Sequence, residues 1–329
     1  MATLRPNLPH EDRTVQEPRQ NEIHPVVLSE MEQVNHDIKL YKLSILNKEK
    51  GVKFHPGQWL DVLIPTLPKA GGFTLTSTPA RAQLSPTNQT PYLELAVQKS
   101  ENPPAKWLWQ PPSQILNTEI RVRVGGSFIW PPVDIEEKEI EKVVFVAGGV
   151  GIKSTNTKPN PRNKPTSQSS KRQETNKIPP KTSPLISMLS HITTTTTPPT
   201  TIPPITFLYS VKHPPSTPLS KILFHTRLHK IISNHPSLIN LHLFITGPPP
   251  PPSTPSAPSI QSTPSPNTSP QTIHKTRIGP SSLLEALGSK DPSTLKKTTC
   301  FVCGPPQMTD EIVEFLREQG TRVYCEKWW

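Results

Sequence analysis

The sequence predicts two domains: an all-β domain, either a small barrel or a sandwich, followed by an α/β domain with a parallel sheet. Short apolar runs separated by Pro, Gly and Asn fill residues 23–132, which is typical of several short strands. Over residues 140–329, near-continuous apolar runs alternate with helical patterns, as in the βα units that build a parallel sheet. Residues 1–22 lack both patterns and are predicted to be a flexible N-terminus.

Three low-complexity inserts interrupt the second domain, at 153–182, 193–204 and 248–280. They hold many of the 44 prolines and are rich in Ser and Thr, so we expect them to be disordered. The first insert carries eight Lys or Arg and one acid, a large share of the formal net charge of +11. Such a stretch is either a solvated loop or a patch for nucleic acid or membrane. Because no aromatic residues interleave the charges, nucleic acid is not the expected partner.

The composition excludes several classes of protein. Three cysteines are too few for a disulfide-dense secreted scaffold. No apolar run approaches the length of about 20 residues that a membrane-spanning helix needs. The first 22 residues mix Arg with Asp and Glu and lack the apolar centre of a secretory signal. We therefore expect neither a transmembrane segment nor a secretory leader.

The strands of the first domain are predicted from apolar runs bounded by turn residues. In the run from 92 to 98, Leu93, Leu95 and Val97 occupy alternate positions and so share one face of a strand. Further runs of strand length, bounded by Gly, Pro or Asn, lie at 39–46, 59–64, 73–77 and 120–124.

The second domain is predicted to contain buried parallel strands at 142–147, 205–210, 238–246 and 298–303. Between them, apolar residues recur at helical spacing from Phe224 and from Met308, and the second pattern stops at Gly320. Ser183 and Pro184 predict an N-cap and a first helical residue before a further helix.

The run VVFVAGGVGI, residues 143–152, joins a buried strand to Gly148, Gly149 and Gly151. Glycines let the main chain approach a pyrophosphate closely, and the N-terminus of a following helix offers free N–H groups. The spacing is Gly-Gly-x-Gly, so an ordinary turn at the end of the strand is an equal alternative.

A second buried strand, in CFVCGPPQMTD from Cys300 to Asp310, ends in Gly and Pro before an amphipathic helix. Loops at the carboxyl ends of central parallel strands bind ligands in open α/β sheets. Cys300 and Cys303 have the spacing Cys-x-x-Cys, but no second pair exists, so no metal site is predicted. Two packed strand cysteines are the simpler interpretation, with Cys303 beside a ligand as the alternative.

Two aromatic features complete the candidate set. GGFTLTSTP, residues 71–79, places an aromatic ring and hydroxyl groups on an extended strand that can lie along a flat heterocycle, or is an ordinary strand. The chain ends in Trp328 and Trp329, which predict either hydrophobic docking of the terminus or an aromatic cover over a planar cofactor.

Taken in order, HPGQW, GGFTLTSTP, AGGVGI, CGPPQM and a terminal aromatic resemble the ferredoxin–NADP reductase superfamily. The resemblance covers nearly all of the sequence outside the inserts, and the combination is specific although each motif alone is not. It implies an antiparallel flavin-binding β-barrel followed by a pyridine-nucleotide-binding α/β domain. It also implies an NAD(P)H-dependent flavin oxidoreductase, in which a hydride moves from nicotinamide to flavin and electrons pass to an external acceptor.

The resemblance implies that the strand after residue 72 binds the flavin ring. Phe73 takes the place of a tyrosine that packs on the flavin ring, and Thr74 takes that of a hydroxyl beside the reactive nitrogen. Leu75 and Thr76 continue this cofactor-binding strand.

The sequence departs from the family at both flavin-phosphate contacts. Gly71 stands where the family has an arginine, and Ala105 stands where it has a serine. Lys99 is the expected partial substitute for these contacts to FAD.

On the nucleotide side, the resemblance implies a pyrophosphate held by a loop and a helix start: Gly148, Gly149, Val150, Gly151, Ile152, Ser183 and Pro184. It places the nicotinamide beside Cys303, Gly304, Pro305 and Met308, and the terminal Trp329 on the flavin. Cys303, Thr74 and Trp329 are thereby expected to border the transferred hydride. The segment 209–212 has a hydroxyl and a cation but no Arg for a 2′-phosphate, which favours NAD(H) over NADP(H).

Two other functions stay open. The losses at Gly71 and Ala105 favour a flavin-free nucleotide-binding module without catalysis. The prolines at 248–252 favour an interaction scaffold that offers polyproline II to SH3- or WW-type grooves, with a flexible linker as the simpler interpretation. The electron acceptor is not identified by the sequence, and the resemblance leaves mitochondria or cytoplasm as the expected compartment.

Overall fold

The computed structural model of the protein describes residues 9–148, 183–195, 202–214, 217–247 and 271–327. Within these ranges the chain forms one antiparallel and one parallel sheet, each with six strands. The predicted fold class is therefore confirmed. None of the helices in these ranges has the length and apolar character needed to cross a membrane.

The first domain begins with a short helix, α1 (His10–Arg13), and continues as strands β1 (His24–Asn35), β2 (Ile38–Ile45), β3 (Trp59–Leu63), β4 (Gly71–Thr74), β5 (Tyr92–Gln98) and β6 (Glu119–Gly125). These strands follow the order β4-β3-β6-β1-β2-β5. Leu75 bridges to Leu95, and the Thr76 N–H donates to the Glu94 carbonyl (2.9 Å). This contact joins the two edges of the sheet, so the domain is a closed barrel rather than a sandwich.

Alternate side chains of β5 fill the barrel, because successive residues of a strand point to opposite faces. Leu93, Leu95 and Val97 have no exposed surface, as their spacing predicts. They belong to one buried cluster with Leu43 of the neighbouring strand β2 and Leu60 of β3.

Two short helices, α2 (Pro103–Leu108) and α3 (Pro112–Ile115), follow β5. Ala105 and Leu108 of α2 belong to the barrel's buried cluster. The Tyr41 hydroxyl donates to the Leu108 carbonyl (2.5 Å), so α2 is fixed to the barrel by a buried hydrogen bond as well as by apolar contact.

The N-terminal residues before β1 pack on the outside of the barrel. His10 is 2% exposed, and its Nε2 lies 3.1 Å from Oδ1 of Asp61. Arg19 and Arg123 both contact Oδ2 of the same carboxylate, at 2.9 and 2.7 Å. Gly72 permits this packing, since a Cβ there would lie 2.1 Å from the His10 ring. The described part of the N-terminus, predicted to be flexible, is thus bound to the barrel.

The second domain is a parallel sheet with helices on both faces. Its strands are β7 (Lys142–Gly148), β8 (Ile205–Lys212), β9 (Ile239–Thr246), β10 (Gln271–His274), β11 (Thr298–Cys303) and β12 (Arg322–Cys325). Its helices are α4 (Ser183–Thr195), α5 (His225–Asn234), α6 (Pro280–Leu287), α7 (Pro292–Lys296) and α8 (Pro306–Glu318).

The strand order β10-β9-β8-β7-β11-β12 places β7 beside β11, although three strands separate them in sequence. The chain adds strands on one side of β7 and then continues on its other side. In open α/β sheets, ligands bind in the crevice outside the carboxyl ends of strands at such a point. A ligand is therefore expected at the carboxyl ends of β7 and β11.

Several boundaries differ from the sequence prediction, and β1 and β12 were not among the predicted strands. β10 lies inside the predicted insert 248–280, and α4 continues to Thr195, inside the predicted insert 193–204. The strand predicted at 73–77 ends at Thr74, because the following residues leave this ladder and bridge to β5.

One buried cluster contains residues of both domains. Phe128 and Trp130, from the connection after β6, pack against Phe301 of β11 with ring centroids 5.7 and 5.8 Å apart. Ile38 and Ala96 of the barrel belong to the same cluster. Burial of a large apolar side chain contributes about 1.5–3 kcal/mol, so this apolar interface holds the domains together.

Candidate functional site

The two loops predicted to bind a nucleotide meet at the carboxyl ends of β7 and β11. Cys303, the last residue of β11, is paired with Ala147 of β7. A Cβ on Gly148 would lie 2.6 Å from Cδ of Pro305 and 2.8 Å from Sδ of Met308. The absence of a side chain at 148 is therefore what lets the two loops approach each other.

Two buried hydroxyl groups at the starts of α4 and α8 have no hydrogen-bond partner among the described residues: Ser183 Oγ, 1% exposed, and Thr309 Oγ1, fully buried. Ser183 is the first residue of α4 rather than its predicted N-cap, and Thr309 is the fourth residue of α8. A Cβ on Gly304 would lie 3.4 Å from the Thr309 hydroxyl, so this hydroxyl lies beside the loop after β11. A buried hydroxyl without a partner costs about 1–3 kcal/mol. Pro184, without an N–H, is accommodated in the first turn of α4.

Cys303 and Glu326 form a buried pair at the same edge. The Cys303 side chain has no exposed surface, Glu326 is 8% exposed, and Sγ lies 4.0 Å from Oε2. The Glu326 N–H donates to the Val302 carbonyl (3.3 Å), which holds the residue beside β11. Glu326 was not among the predicted site residues. The one feature of the sequence that could have indicated Glu326 is its position as an acid two residues before the terminal tryptophans.

The Cys-x-x-Cys spacing does not create a paired site. Cys300 and Cys303 are free thiols on opposite faces of β11, because residues three apart on a strand point in opposite directions. Burial raises the pKa of the Cys300 thiol to about 12, so it stays protonated and unreactive. In the described parts of the chain, no three His, Cys, Asp or Glu side chains are arranged to hold a metal ion.

The strand predicted to bind a flavin ring packs against α2. Phe73 is 6% exposed and belongs to the same buried cluster as Ala105. A Cβ on Gly71 would lie 2.5 Å from Cβ of Pro104 and 2.6 Å from the Phe73 ring. The start of α2 therefore leaves no room for a longer side chain at residue 71, and the Phe73 ring is used in protein packing.

The residues after Phe73 have different environments. Thr74 lies opposite Trp59 in the ladder and is 5% exposed. Leu75 is fully buried in the barrel core, and its N–H donates to the Gln58 carbonyl (3.0 Å). The Thr76 hydroxyl donates to the Glu94 carboxylate (2.5 Å). Leu75 and Thr76 thus make contacts within the protein, and their roles as cofactor contacts stay predictions.

Helices of the second domain contact the chain directly after β4. Arg227 of α5 bonds to both oxygens of the Glu94 carboxylate (2.7 and 2.9 Å) and donates to the Thr76 carbonyl (3.1 Å). The Ser187 hydroxyl of α4 donates to the Ser77 carbonyl (2.7 Å). The position of this part of the barrel therefore depends on the second domain.

Lys99, the predicted partial substitute for the family's arginine, lies near the other end of α2 from Gly71. Its ammonium group lies 5.5 Å from the centroid of the Trp109 ring, at the C-terminal end of α2. Gly71 instead meets Pro104 at the N-terminal end of that helix.

A cavity of about 430 Å³ lies between the barrel and the last strand. Trp59 and Phe128 line it on the barrel side, and Arg317 and residues 323–327 line it on the other. Glu326 is part of this wall, so the cavity adjoins the Cys303–Glu326 pair. Its volume is large enough for a small organic molecule.

Several predicted site residues lie outside the residues that the structure describes: Gly149, Val150, Gly151, Ile152 and Trp329. The same holds for the basic insert 153–182 and for the prolines at 248–252. Their assigned roles stay predictions.

The chain is similar to several curated proteins along most of its length. Oxidoreductase NAD-binding domain-containing protein 1 of Danio rerio is 26% identical over 334 residues, which cover 99% of this chain and 100% of that protein. The proteins of the same name from Xenopus tropicalis and Homo sapiens are each 25% identical, over 97% and 87% of this chain and 84% and 74% of their own lengths. No protein-family model matches the chain.

Solved structures share the fold. The cytochrome b5 reductase domain of Ulva prolifera nitrate reductase superposes with a TM-score of 0.58 at 15% identity, covering 92% of this chain and 97% of that one. A ferredoxin NADP+ reductase from Neisseria gonorrhoeae, with bound FAD and NADP, gives a TM-score of 0.56 at 12% identity, covering 94% and 100%. These structures have the same two-domain fold, so the fold that the resemblance implies is confirmed.

Proposed function

We propose that the protein is an oxidoreductase that binds a nicotinamide nucleotide where β7 and β11 end. The observation that carries the proposal is the close approach of Gly148 to Pro305 and Met308 at the point where the strand order reverses. The curated relatives are named for an NAD-binding oxidoreductase domain, and the Neisseria gonorrhoeae reductase was solved with FAD and NADP. These names support the same class of function for this chain.

The described residues fit a pyrophosphate at this edge. Gly148 offers main chain without a side chain, and the unpartnered hydroxyls of Ser183 and Thr309 lie in the first turns of α4 and α8. Helix N-termini favour anions, and phosphate oxygens accept hydrogen bonds from hydroxyl and N–H groups alike. A bound nucleotide would therefore remove the cost of leaving these hydroxyls without partners. The loop residues 149–152 are proposed to complete the site.

A bound nicotinamide supplies or accepts a hydride at its ring. Cys303 and Glu326 are proposed to border that ring, because both are buried at the edge where the nucleotide is proposed to bind. Glu326 Oε2 is positioned to accept a hydrogen bond from the Cys303 thiol. Thr74 and Trp329 are proposed as further contacts at the site of transfer.

The barrel does not fit the phosphate end of a flavin at the place that the resemblance implies. Pro104 and Phe73 fill the space beside Gly71, and the prolines at 103 and 104 remove N–H groups from the start of α2. We therefore derive no step through a flavin. FAD remains a proposed cofactor, whose presence the spectrum described below decides.

NADH is the proposed nucleotide in preference to NADPH. The Tyr209 hydroxyl is buried and donates to the Leu223 carbonyl (3.2 Å), so it is not available to a 2′-phosphate. The end of β8 then offers Lys212 as its cation and contains no Arg, the residue that usually accommodates a 2′-phosphate near this position. The electron acceptor is proposed to be an external partner.

The experiment is the visible absorption spectrum of the purified full chain, recorded before and after anaerobic addition of NADH and then of NADPH. We expect NADH to be oxidised faster than NADPH. A flavin spectrum that NADH bleaches would show that FAD binds despite the packing of Pro104 on Gly71. A chain without flavin that still oxidises NADH in the presence of ferricyanide would support an oxidoreductase that needs no bound flavin. No binding or oxidation of either nucleotide, even after reconstitution with FAD and FMN, contradicts the proposal.

A flavin-free nucleotide-binding module is the second candidate, and the packing of Pro104 on Gly71 favours it. It predicts NADH binding without a flavin spectrum and without NADH oxidation. Stoichiometric flavin in the purified protein would eliminate it. The same measurements on a variant that lacks residues 153–182 show whether the insert itself, by disturbing the nucleotide loop, prevents binding.

A further inference from the structure

The cavity between the barrel and β12 lies beside the proposed nucleotide site and is not part of it. Its volume of about 430 Å³ is within the range of about 300–1,000 Å³ that is usual for sites of small organic ligands. Of the described residues that are proposed to bind the nucleotide, only Glu326 belongs to its wall. The cavity therefore has room for a ligand of its own.

Aromatic side chains form a preformed lining for this cavity. Phe128 lines it on the barrel side and packs against Phe301, with ring centroids 5.7 Å apart. Tyr324 lines it on the opposite side, stacks on the same Phe301 ring (5.4 Å between centroids) and donates from its hydroxyl to Oδ1 of Asp134 (2.7 Å). Trp59 completes the aromatic lining and is 2% exposed. Because these rings are held by contacts of their own, the lining fits the flat ring of a ligand without rearrangement.

The rim of the cavity is apolar and accessible to solvent. Val133 lines the cavity and is 88% exposed, and Val15, which follows the wall residue Thr14, is 68% exposed. They are the two most exposed large apolar side chains in the ranges that the structure describes. Exposed apolar surface at a cavity is typical of a binding site, because a ligand that covers it removes apolar area from water.

One of the two cations in the described wall has no acidic partner. The Lys327 ammonium lies 2.6 Å from Oδ1 of Asp310. The Glu17 carboxylate accepts hydrogen bonds from the N–H and the hydroxyl of Ser127 (3.1 and 2.7 Å). The guanidinium of Arg317, on α8, forms no ion pair or hydrogen bond with any described residue. Arg317 is thus the cation that is available to a ligand.

The wall around Cys325 offers a second donor beside this cation. Burial raises the pKa of the Cys325 thiol, and the charges of Lys327 and Arg317 oppose the rise, since both cations lie near the thiol. The Glu326 N–H points to β11, where it donates to the Val302 carbonyl (3.3 Å). Successive N–H groups of a strand point to opposite sides, so the Cys325 N–H points to the open edge of the sheet, where the cavity lies.

We infer that this cavity binds an aromatic carboxylate, with its ring against the aromatic lining and its carboxylate at Arg317. A carboxylate matches the planar guanidinium in a bidentate pair. One negative charge fits better than the two of a phosphate monoester, because Glu17 and Glu326 lie in the same wall and would repel the second charge. The site does not depend on the proposed redox activity.

Isothermal titration of the full chain with 2-naphthoate, at constant ionic strength, tests the inference. 2-Naphthalenemethanol has the same ring system without the charge and is the matched ligand. Wild type is expected to bind the acid about fivefold more tightly than the alcohol, and Arg317→Gln should abolish this difference. Arg81→Gln, at an exposed arginine outside the described wall, is the control and should preserve it.

Val133→Asp tests the apolar rim. The new carboxylate at this exposed position should weaken binding of both ligands, and of the acid more than of the alcohol, because it adds repulsion to the loss of apolar surface. Leu46→Asp, at an exposed apolar residue of the barrel that does not line the cavity, should leave both affinities unchanged.

Alkylation by iodoacetamide, read by mass spectrometry of the peptides, locates the ligand. Cys325 lines the cavity, whereas Cys300 and Cys303 are fully buried, so bound 2-naphthoate should slow alkylation of Cys325. Saturating NAD+ should leave the affinity for 2-naphthoate unchanged, and a chain that binds 2-naphthoate but not NAD+ would contradict the proposed function alone.

Any of four results overturns the inference: no binding by wild type, equal affinity of wild type for acid and alcohol, the same affinity for the acid in wild type and Arg317→Gln, or displacement of 2-naphthoate by NAD+. Alkylation of Cys325 at an unchanged rate would likewise place the ligand elsewhere and overturn it.

Discussion

Asp61 is the residue on which the packing of the N-terminal segment depends. Its carboxylate has no exposed surface, contacts Arg19 and Arg123, and lies against His10. Burial alone would raise its pKa, but the hydrogen bonds from His10, Arg123 and Arg19 outweigh burial and lower the pKa from 3.8 to about 2. A carboxylate with a lowered pKa stabilises the folded state above its unfolded pKa, and this stabilisation is lost as the pH falls through its folded pKa.

Asp61→Asn is expected to lower the free energy of unfolding at neutral pH by about 2–4 kcal/mol, because Arg19 and Arg123 lose their shared counter-charge. Since the contribution of Asp61 is lost between about pH 4 and about pH 2, the difference between variant and wild type should shrink across that window. Urea denaturation at several pH values measures both effects.

The control for this substitution is Asp12→Asn, at an exposed acid that pairs with Lys69. It is expected to change the free energy of unfolding by less than about 0.5 kcal/mol. A loss in Asp61→Asn that stays constant down to the lowest pH would show that its charge is not what holds the segment.

Individual site residues are predictable from the sequence where local spacing fixes them. Gly148 and the loop after β11 could be proposed because each follows a recognisable buried strand. The roles of Leu75 and Thr76 stay predictions, since an extended strand has the same sequence pattern whether it faces a ligand or another strand. Glu326 was missed because its contact with Cys303 is made between neighbouring strands that the sequence does not align.

Helix α5 joins the two domains through one side chain. Arg227 bonds to both oxygens of Glu94, which is 6% exposed, and to the carbonyl of Thr76. The same guanidinium thus holds a barrel strand and the segment that follows β4. A displacement of α5 would therefore be transmitted to the barrel at this place.

Arg227→Met is expected to lower the free energy of unfolding by about 2–3 kcal/mol, because Glu94 would stay buried without its cation. The value is below that for a fully buried pair because the Arg227 side chain is 32% exposed. In a double-mutant cycle with Glu94→Leu, the two effects should be non-additive by about 1 kcal/mol or more. Lys230→Met, on an exposed position of the same helix, is the control. Additive effects of the two substitutions would contradict the assigned pairing.

The elements differ in how well the sequence predicts them. The apolar spacing of α5 and α8 is strongly amphipathic, and both helices occur where it predicts them. β10 was not predicted, because its four residues form an edge strand that is mostly accessible and directly follows a low-complexity stretch. An edge strand of this length depends on pairing with β9, which local sequence does not reveal.

At the scale of the whole molecule, the order of a β domain and an α/β domain follows from the change of hydrophobic periodicity near residue 140. The residues alone left a barrel and a sandwich as alternatives, because closure depends on the bridge between Leu75 and Leu95. The packing of the N-terminus on the barrel was likewise not predictable, since it depends on the buried charge of Asp61. The two sheets share one apolar cluster, and the nucleotide site is proposed at the carboxyl edge of the second sheet.

The central claim is that a nicotinamide nucleotide binds where Gly148 meets the loop after β11. The most direct measurement is the affinity for NADH of wild type, Gly148→Ala and Gly279→Ala, with circular dichroism to confirm that each variant is folded. Gly148→Ala is expected to weaken NADH binding about tenfold or more, because the new Cβ would lie 2.6 Å from Pro305 and force the loops apart. Gly279→Ala, where nothing lies within 4 Å of a Cβ, should keep the wild-type affinity. Unchanged affinity in a folded Gly148→Ala variant, or no NADH binding by wild type, would contradict the account.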